Sequence, residues 1–114
     1  MSRIYKILPR DVWLPALAGG VFEGAGVDLA DGYIHFSTAA QAVETARRYF
    51  KGQPGLVVLE VEAGDLGEAL KWEPSRGGDL FPHLYGVLPC ALVRTVREPP
   101  LGLDGVLILS DLAP

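Results

Sequence analysis

The chain has a single cysteine, Cys90, among 114 residues. One thiol makes no intrachain disulfide, and it cannot supply a multi-cysteine zinc or iron–sulfur site. Histidine is almost as scarce: only His35 and His83 occur. They lack the i, i+4 spacing of a helical zinc motif, so metal binding would need both of them plus a distant carboxylate. Basic residues are in deficit. Ten Lys and Arg stand against fourteen Asp and Glu, a formal net charge of −4, which argues against the electrostatic footprint of a long nucleic acid. No apolar run approaches the roughly 20 residues of a membrane-spanning helix. Met1–Lys6 shows neither the apolar stretch nor the small-residue cleavage site of a secretory signal. The expectation is one cytoplasmic domain covering residues 1–114, a length within the common domain range of about 100–150 residues.

What is abundant points to a packed globule of short elements. Hydrophobic residues make up 49% of the chain, against the low hydrophobicity of disordered chains. Fourteen Gly and nine Pro are spread through it and imply frequent turns. Arg3–Leu8 reads as a strand closed by Pro9, with the lone charge of Lys6 explained as edge-strand protection. A helix is expected from Pro9 or Arg10 to Ala18, burying Val12, Leu14 and Leu17 and ending at Gly19-Gly20; Pro15 is tolerable only in its first turn. Tyr33–Ser37 alternates as a strand. Thr38 and Gln41 stand at capping-box spacing before a second helix. Leu56–Glu62 is the clearest strand, Ala69–Glu73 a short one, and Pro74–Pro82 a polar loop. Ala91–Arg97 and Gly105–Leu109 complete the strands. Strands dominate with about two early helices, which is α+β rather than a regular βαβ repeat.

The residues able to carry chemistry fall in two dense segments. In Asp31–Thr38, period two places Tyr33, His35 and Ser37 on one face and Ile34 and Phe36 on the other. The polar face is either a cleft lining or an ordinary half-exposed strand surface. In Asp79–Gly86, His83 and Tyr85 alternate beside Phe81 and Pro82, and the segment is either a site or a loop stapled by its aromatic rings. Glu73, at a strand end after Trp72, is placed to orient a histidine or bind a sugar hydroxyl; a surface charge is the commoner role. Arg76-Gly77-Gly78 offers a guanidinium and backbone N–H groups to a phosphate, without being a Walker or dinucleotide fingerprint. Ser37 is not in a G-x-S-x-G elbow, and Cys90 reads as a buried, inert thiol.

Four stretches, taken in order, carry a family resemblance: Ile4–Ile7, Asp31–Thr38, Trp72-Glu73 and Phe81–Pro89. They resemble bacterial proteins of the domain of unknown function 952 class, which carries no assigned activity. The resemblance implies a fold similar to the ADP-ribosyltransferase-like class, a compact split β-sheet whose cleft holds NAD in active relatives. His35-Phe36-Ser37 is similar to the His-hydrophobic-Ser segment of RNA 2′-phosphotransferases, whereas Lys6 stands where such proteins carry a histidine after the first-strand tyrosine. The implied function is binding of NAD or a related nucleotide as substrate, with no covalently held cofactor and with glycosyl transfer through an oxocarbenium-like transition state. The implied catalytic residues are His35, Glu73 and His83. The implied nucleotide contacts are Lys6, Ser37, Arg76 and Tyr85. The competing expectations are a binding module without catalysis, and a structural protein that dimerises through a Gly105–Leu109 strand.

Overall fold

Strand β1 (Arg3–Pro9) is buried along its length, and it lies inside its sheet rather than at the edge. The computed structural model describes residues 2–114; Met1, which heads the segment read above for a secretory signal, lies outside them. After β1 come α1 (Arg10–Gly19), β2 (Val21–Phe22), α2 (Val27–Asp31), β3 (Ile34–His35), β4 (Ser37–Thr38) and α3 (Ala39–Tyr49). The second half is β5 (Leu56–Glu62), β6 (Leu70–Pro74), β7 (Leu80–Leu84), β8 (Leu88–Pro89) and β9 (Val93–Arg97). Among the described residues three strand sets form, in the orders β4-β1-β5-β9, β3-β7-β6 and β2-β8. All the pairings are antiparallel, and the helices pack over the sheets, so the fold is α+β.

Two apolar clusters cover the two faces of the four-stranded sheet. Ile4 and Leu8 from β1, with Val57, Leu59 and Val61 from β5, meet Trp13, Phe22, Phe36, Ile34 and Leu84 on one side. On the other side Tyr5, Ile7 and Val58 meet Ala42 and Ala46 of α3 and the tail residues Val106, Leu107 and Leu109. Burial on both faces is why Leu56–Leu59 is apolar without alternation. Period two puts Lys6 on the same face as Ile4 and Leu8, beneath α2.

The functional geometry begins where one segment changes sheets. Ile34 and His35 pair with Leu84 and His83 of β7, whereas Ser37 and Thr38 pair with Tyr5 and Ile4 of β1. Phe36 lies between the two ladders, its N–H donating to the Pro82 carbonyl. The β1–β4 ladder stops at Tyr5, while β1 continues to Pro9 along β5. Lys6 and Ile7 therefore have no β4 partner, and the two sheets part there.

Several expectations change. Lys6 does not protect an edge; it is buried inside the fold. In α1 the buried residue is Trp13, while Leu14 and Leu17 are about half exposed, so the docking face is turned from the one inferred. The helix passes through Pro15 beyond its first turn, because the lost bond would have gone to Asp11, which is exposed to water. Among the described residues the five-residue α2 brings the α-helices to three, where about two were expected. His83 lies in a strand, since β7 takes over Leu80–Pro82 from the supposed loop. Gly105–Leu109 is not a strand: it forms one bridge, Leu101 to Leu107, and Val106, Leu107 and Leu109 pack in the cluster with α3, while Ile108 is about half exposed. No strand is present there to pair across chains.

Helix α3 has the expected capping box. Thr38 Oγ1 accepts from the Gln41 N–H at 3.2 Å, and Gln41 Oε1 accepts from the Thr38 N–H at 3.0 Å. Thr38→Ala should lower unfolding stability by about 1 kcal/mol, measured as a shift in urea midpoint at unchanged slope. An unchanged midpoint would show that the cap contributes nothing.

Candidate functional site

The gap between the sheets is a cleft of about 330 Å³. Its wall at β1 is Tyr5–Ile7, its floor carries Tyr33, His35, Ser37 and His83, and its far side is closed by Arg76, Phe81 and Tyr49. Such a volume lies at the low end of small-molecule pockets, which run from roughly 300 to 1,000 Å³.

Asp28 ties the cleft wall together. Its carboxylate accepts from Lys6 Nζ at 2.9 Å, from the His35 backbone N–H at 3.0 Å and from the Ala25 N–H at 3.1 Å. His35 Nδ1 lies 2.6 Å from the same carboxylate, and His35 Nε2 lies 3.0 Å from Asp31 Oδ2. Thus α2, β1 and β3 meet at one buried acid. Burial pushes the Asp28 carboxyl upward, but the His35 bond and the Lys6 charge outweigh it, and the carboxyl is held down at about 2. Burial pushes the Lys6 ammonium below its ordinary value, and Asp28 partly restores it. Gly24 makes the close packing here attainable. Its φ is +102°, and a Cβ there would stand 3.0 Å from the Asp28 Cβ.

A second carboxylate supports the other histidine. Glu73 Oε1 lies 2.8 Å from His83 Nδ1 and accepts from the Tyr85 hydroxyl, also at 2.8 Å. These two bonds hold the Glu73 carboxyl below its ordinary value. The bond to Glu73 and partial desolvation push the Tyr85 hydroxyl up to about 12. The Tyr33 ring packs at 4.2 Å on His83, 4.5 Å on His35 and 5.1 Å on Tyr85, measured between centroids. One tyrosine thus bridges both histidines.

Arg76 reaches the cleft from the turn between β6 and β7. Its guanidinium lies 4.7 Å from the Phe81 ring centre and 6.0 Å from that of Tyr49, within cation–π range. Arg76 Nη2 donates to Thr45 Oγ1 at 3.2 Å, and Thr45 Oγ1 lies 2.9 Å from Ser37 Oγ. Among the described residues no carboxylate pairs with Arg76, whereas Lys6, both histidines and most arginines have acidic partners. A guanidinium beside two hydroxyls and an aromatic face is suited to a phosphate or carboxylate.

The seven residues singled out from sequence therefore come together around one cleft. Lys6, Ser37, His35, His83 and Arg76 line it, and Glu73 and Tyr85 stand behind His83. Lys6 Nζ is committed to Asp28. Sequence reasoning missed Asp28, Asp31 and Thr45. Thr45 carried a legible signal, since it lies one turn beyond Gln41 on the capped helix. Asp28 carried little, as one acid in a five-residue helix. Cys90 is half-buried, its Sγ 3.5 Å from the Ala16 carbonyl oxygen, and burial pushes its thiol up, as suits an inert group. Among the described residues no group of three His, Cys, Asp or Glu side chains is arranged so as to hold a metal ion, and no helix is long and apolar enough to cross a membrane.

A family model described as a protein of unknown function (DUF952) matches residues 7–96. The crystal structure of protein CC0527 from Caulobacter crescentus superposes with a TM-score of 0.93 at 55% identity, covering 95% of each chain. A crystal structure of its V27M/L66M double mutant gives a TM-score of 0.92 at 53% identity, again over 95% of each chain. The solution NMR structure of CC0527 gives 0.87 at 55% identity, covering 96% of this chain and 94% of that one. No curated protein matches the chain.

Asp28 predicts a defined acid sensitivity. The carboxyl titrates at about 2 when folded and near its ordinary 3.8 when unfolded. Between those values the unfolded chain binds more protons, so stability falls as pH drops through that window, by about 2 kcal/mol in total. Asp28→Asn should lose this acid limb and be destabilised by about 3–5 kcal/mol at neutral pH, because Lys6 is left buried without a counter-charge. Urea melts across pH measure both effects. An Asp28→Asn protein as stable as the parent would remove the pair from its structural role.

Proposed function

We propose that this chain, which belongs to the DUF952 family, binds NAD or a related nucleotide in the cleft and transfers its ADP-ribosyl group. The observation that carries the reading is Arg76, a cation without an acidic partner among the described residues, seated on Phe81 and bonded to Thr45 within an aromatic cleft. A guanidinium fork pairs with pyrophosphate oxygens, and Arg76 is held for that role by Thr45 Oγ1, whose own proton goes to the Gln41 carbonyl and which also bonds the Ser37 hydroxyl. At the other end Tyr33, with His35 and His83 against it, offers rings for a base or nicotinamide to stack on. The cleft volume suits one nucleoside-phosphate half of the dinucleotide, the other half extending outward.

The reading supposes an ADP-ribosyltransferase-like organisation. The parting of the two sheets at Tyr5 supports it as the kind of split that opens a cleft at the middle of a β-fold. The reaction breaks the bond between the ribose C1′ and the nicotinamide nitrogen. Positive charge develops on the ribose and is favoured by Asp31, which lines the cleft, and by Glu73 behind His83. Lys6 acts through Asp28 rather than by touching the nucleotide. A second reading is favoured by one observation: both nitrogens of His35 and the ammonium of Lys6 are satisfied internally. That arrangement suits a module that binds and does no chemistry.

Calorimetric titration with NAD, with nicotinamide release followed in parallel, tests the proposal. Binding below millimolar concentration is expected, with Arg76→Met weakening it by about 10-fold or more and Arg76→Lys falling between. Release of nicotinamide selects transfer, and binding without release selects the module. Absence of heat at millimolar NAD, from protein that melts cooperatively, overturns both.

A further inference from the structure

His35 and His83 face each other across the β3–β7 ladder, with ring centroids 5.4 Å apart, yet their hydrogen bonding differs. Both nitrogens of His35 meet carboxylate oxygens. His83 has one such bond, from Nδ1 to Glu73. Among the described residues no group bonds its Nε2. Nor is that atom sealed from solvent, since the buried side-chain atoms left without a partner are Glu62 Oε1 and Arg97 Nε. The ring lines the cleft although it is only 3% exposed, so its remaining opening is toward the cleft.

We propose that Glu73, Tyr85 and His83 form a proton-accepting unit whose open end, His83 Nε2, removes the proton from the O–H group of an acceptor molecule in the cleft. The substrate side of this inference rests on the nucleotide reading above; the state of the histidine does not. A carboxylate only accepts, so the bond to Glu73 places the ring proton on Nδ1 and leaves the lone pair on Nε2. Tyr85 fixes the arrangement from behind. Its hydroxyl, held up to about 12, stays a donor to Glu73 and keeps that oxygen an acceptor. The Tyr33 ring packs on the His83 ring, with centroids 4.2 Å apart. His83 is the catalytic residue, and Glu73 and Tyr85 are positioning residues.

The step balances without a further reagent. The acceptor oxygen forms a bond to ribose C1′ as the C1′–nicotinamide bond breaks. The bonding pair leaves with the nicotinamide nitrogen, which becomes neutral, and the acceptor proton passes to Nε2. The acceptor is therefore a hydroxyl compound or water. His35, with both nitrogens taken, has no free lone pair to serve in its place.

The test begins without ligand. Long-range ¹H–¹⁵N spectra of the imidazoles are recorded at neutral pH for the full chain and for Glu73→Gln, Glu73→Met and Tyr85→Phe. His83 should carry its proton on Nδ1 in the parent and in Glu73→Gln, whose amide oxygen still accepts. In Glu73→Met the proton should move to Nε2, with cooperative melting retained. A parent His83 protonated on Nε2, or a tautomer indifferent to Glu73→Met, would overturn the proposal. In the second arm, His83→Asn at saturating NAD should reduce nicotinamide release by about 10²-fold or more. Unchanged release would overturn the proposal while leaving nucleotide binding intact. Failure of the parent to bind NAD would overturn the nucleotide reading instead, and the tautomer result then decides the proton-accepting unit by itself.

Discussion

The cleft depends on one buried carboxylate. Asp28 is nearly inaccessible, yet it neutralises the one lysine inside the sheet, holds a histidine by both backbone and ring, and accepts from the backbone of its own approach loop. Each of those groups belongs to a different element. Burying a charge is unfavourable unless it is paired and hydrogen-bonded, so Lys6 and Asp28 require each other. This requirement pins the short α2, too short to be stable alone, against β1 and β3. With α2 in place, the β3 end of the switching segment is held beside β7 while its β4 end follows β1, and the space between them stays open.

The two histidines then take on unequal roles through their surroundings. His35 is held between Asp28 and Asp31 and belongs to the frame. His83 is held from one side by Glu73 and faces the cleft with the other. Tyr33 packs on both rings and couples the frame to the working surface. Opposite them, Arg76 supplies positive charge that no acid neutralises among the described residues. In the proposed reading, anion recognition falls to Arg76 and proton transfer to His83, both of which line the one cleft. The likeness to CC0527 over 95% of both chains shows a fold shared with that protein, and the function proposed here is argued from the side chains of this chain alone.

Much of this was legible from local pattern. The apolar run of β5, the capping box of α3 and the alternation of Tyr33, His35 and Ser37 follow from periodicity and hydrogen-bonding chemistry acting over a few residues. The family resemblance and the scarcity of histidine brought seven residues together that the fold also brings together. Long-range facts were not legible. Lys6 looks like an edge charge until its sheet neighbours on both sides are known, and Asp28 is 22 residues from it in sequence. The Gly105–Leu109 segment has strand-like composition, but Val106, Leu107 and Leu109 are satisfied by packing in the α3 cluster and need no ladder. The polar loop expected over Pro74–Pro82 left no sign of β7, which begins at Leu80 and accommodates Pro82 as one member of the β6–β7 pair. Of the cleft residues, Glu73 was anticipated as a group that orients a histidine, and that is the contact it makes.

Mapping the bound nucleotide on the chain tests the central claim most directly. Backbone and side-chain NMR signals would be followed as NAD is added to the labelled full-length protein. Shifts should gather at Arg76, Thr45 and Ser37 at one end of the cleft and at Tyr33 and His83 at the other, while the Asp28–Lys6 frame stays unperturbed. Shifts elsewhere on the surface, or none at saturating nucleotide, would contradict the account.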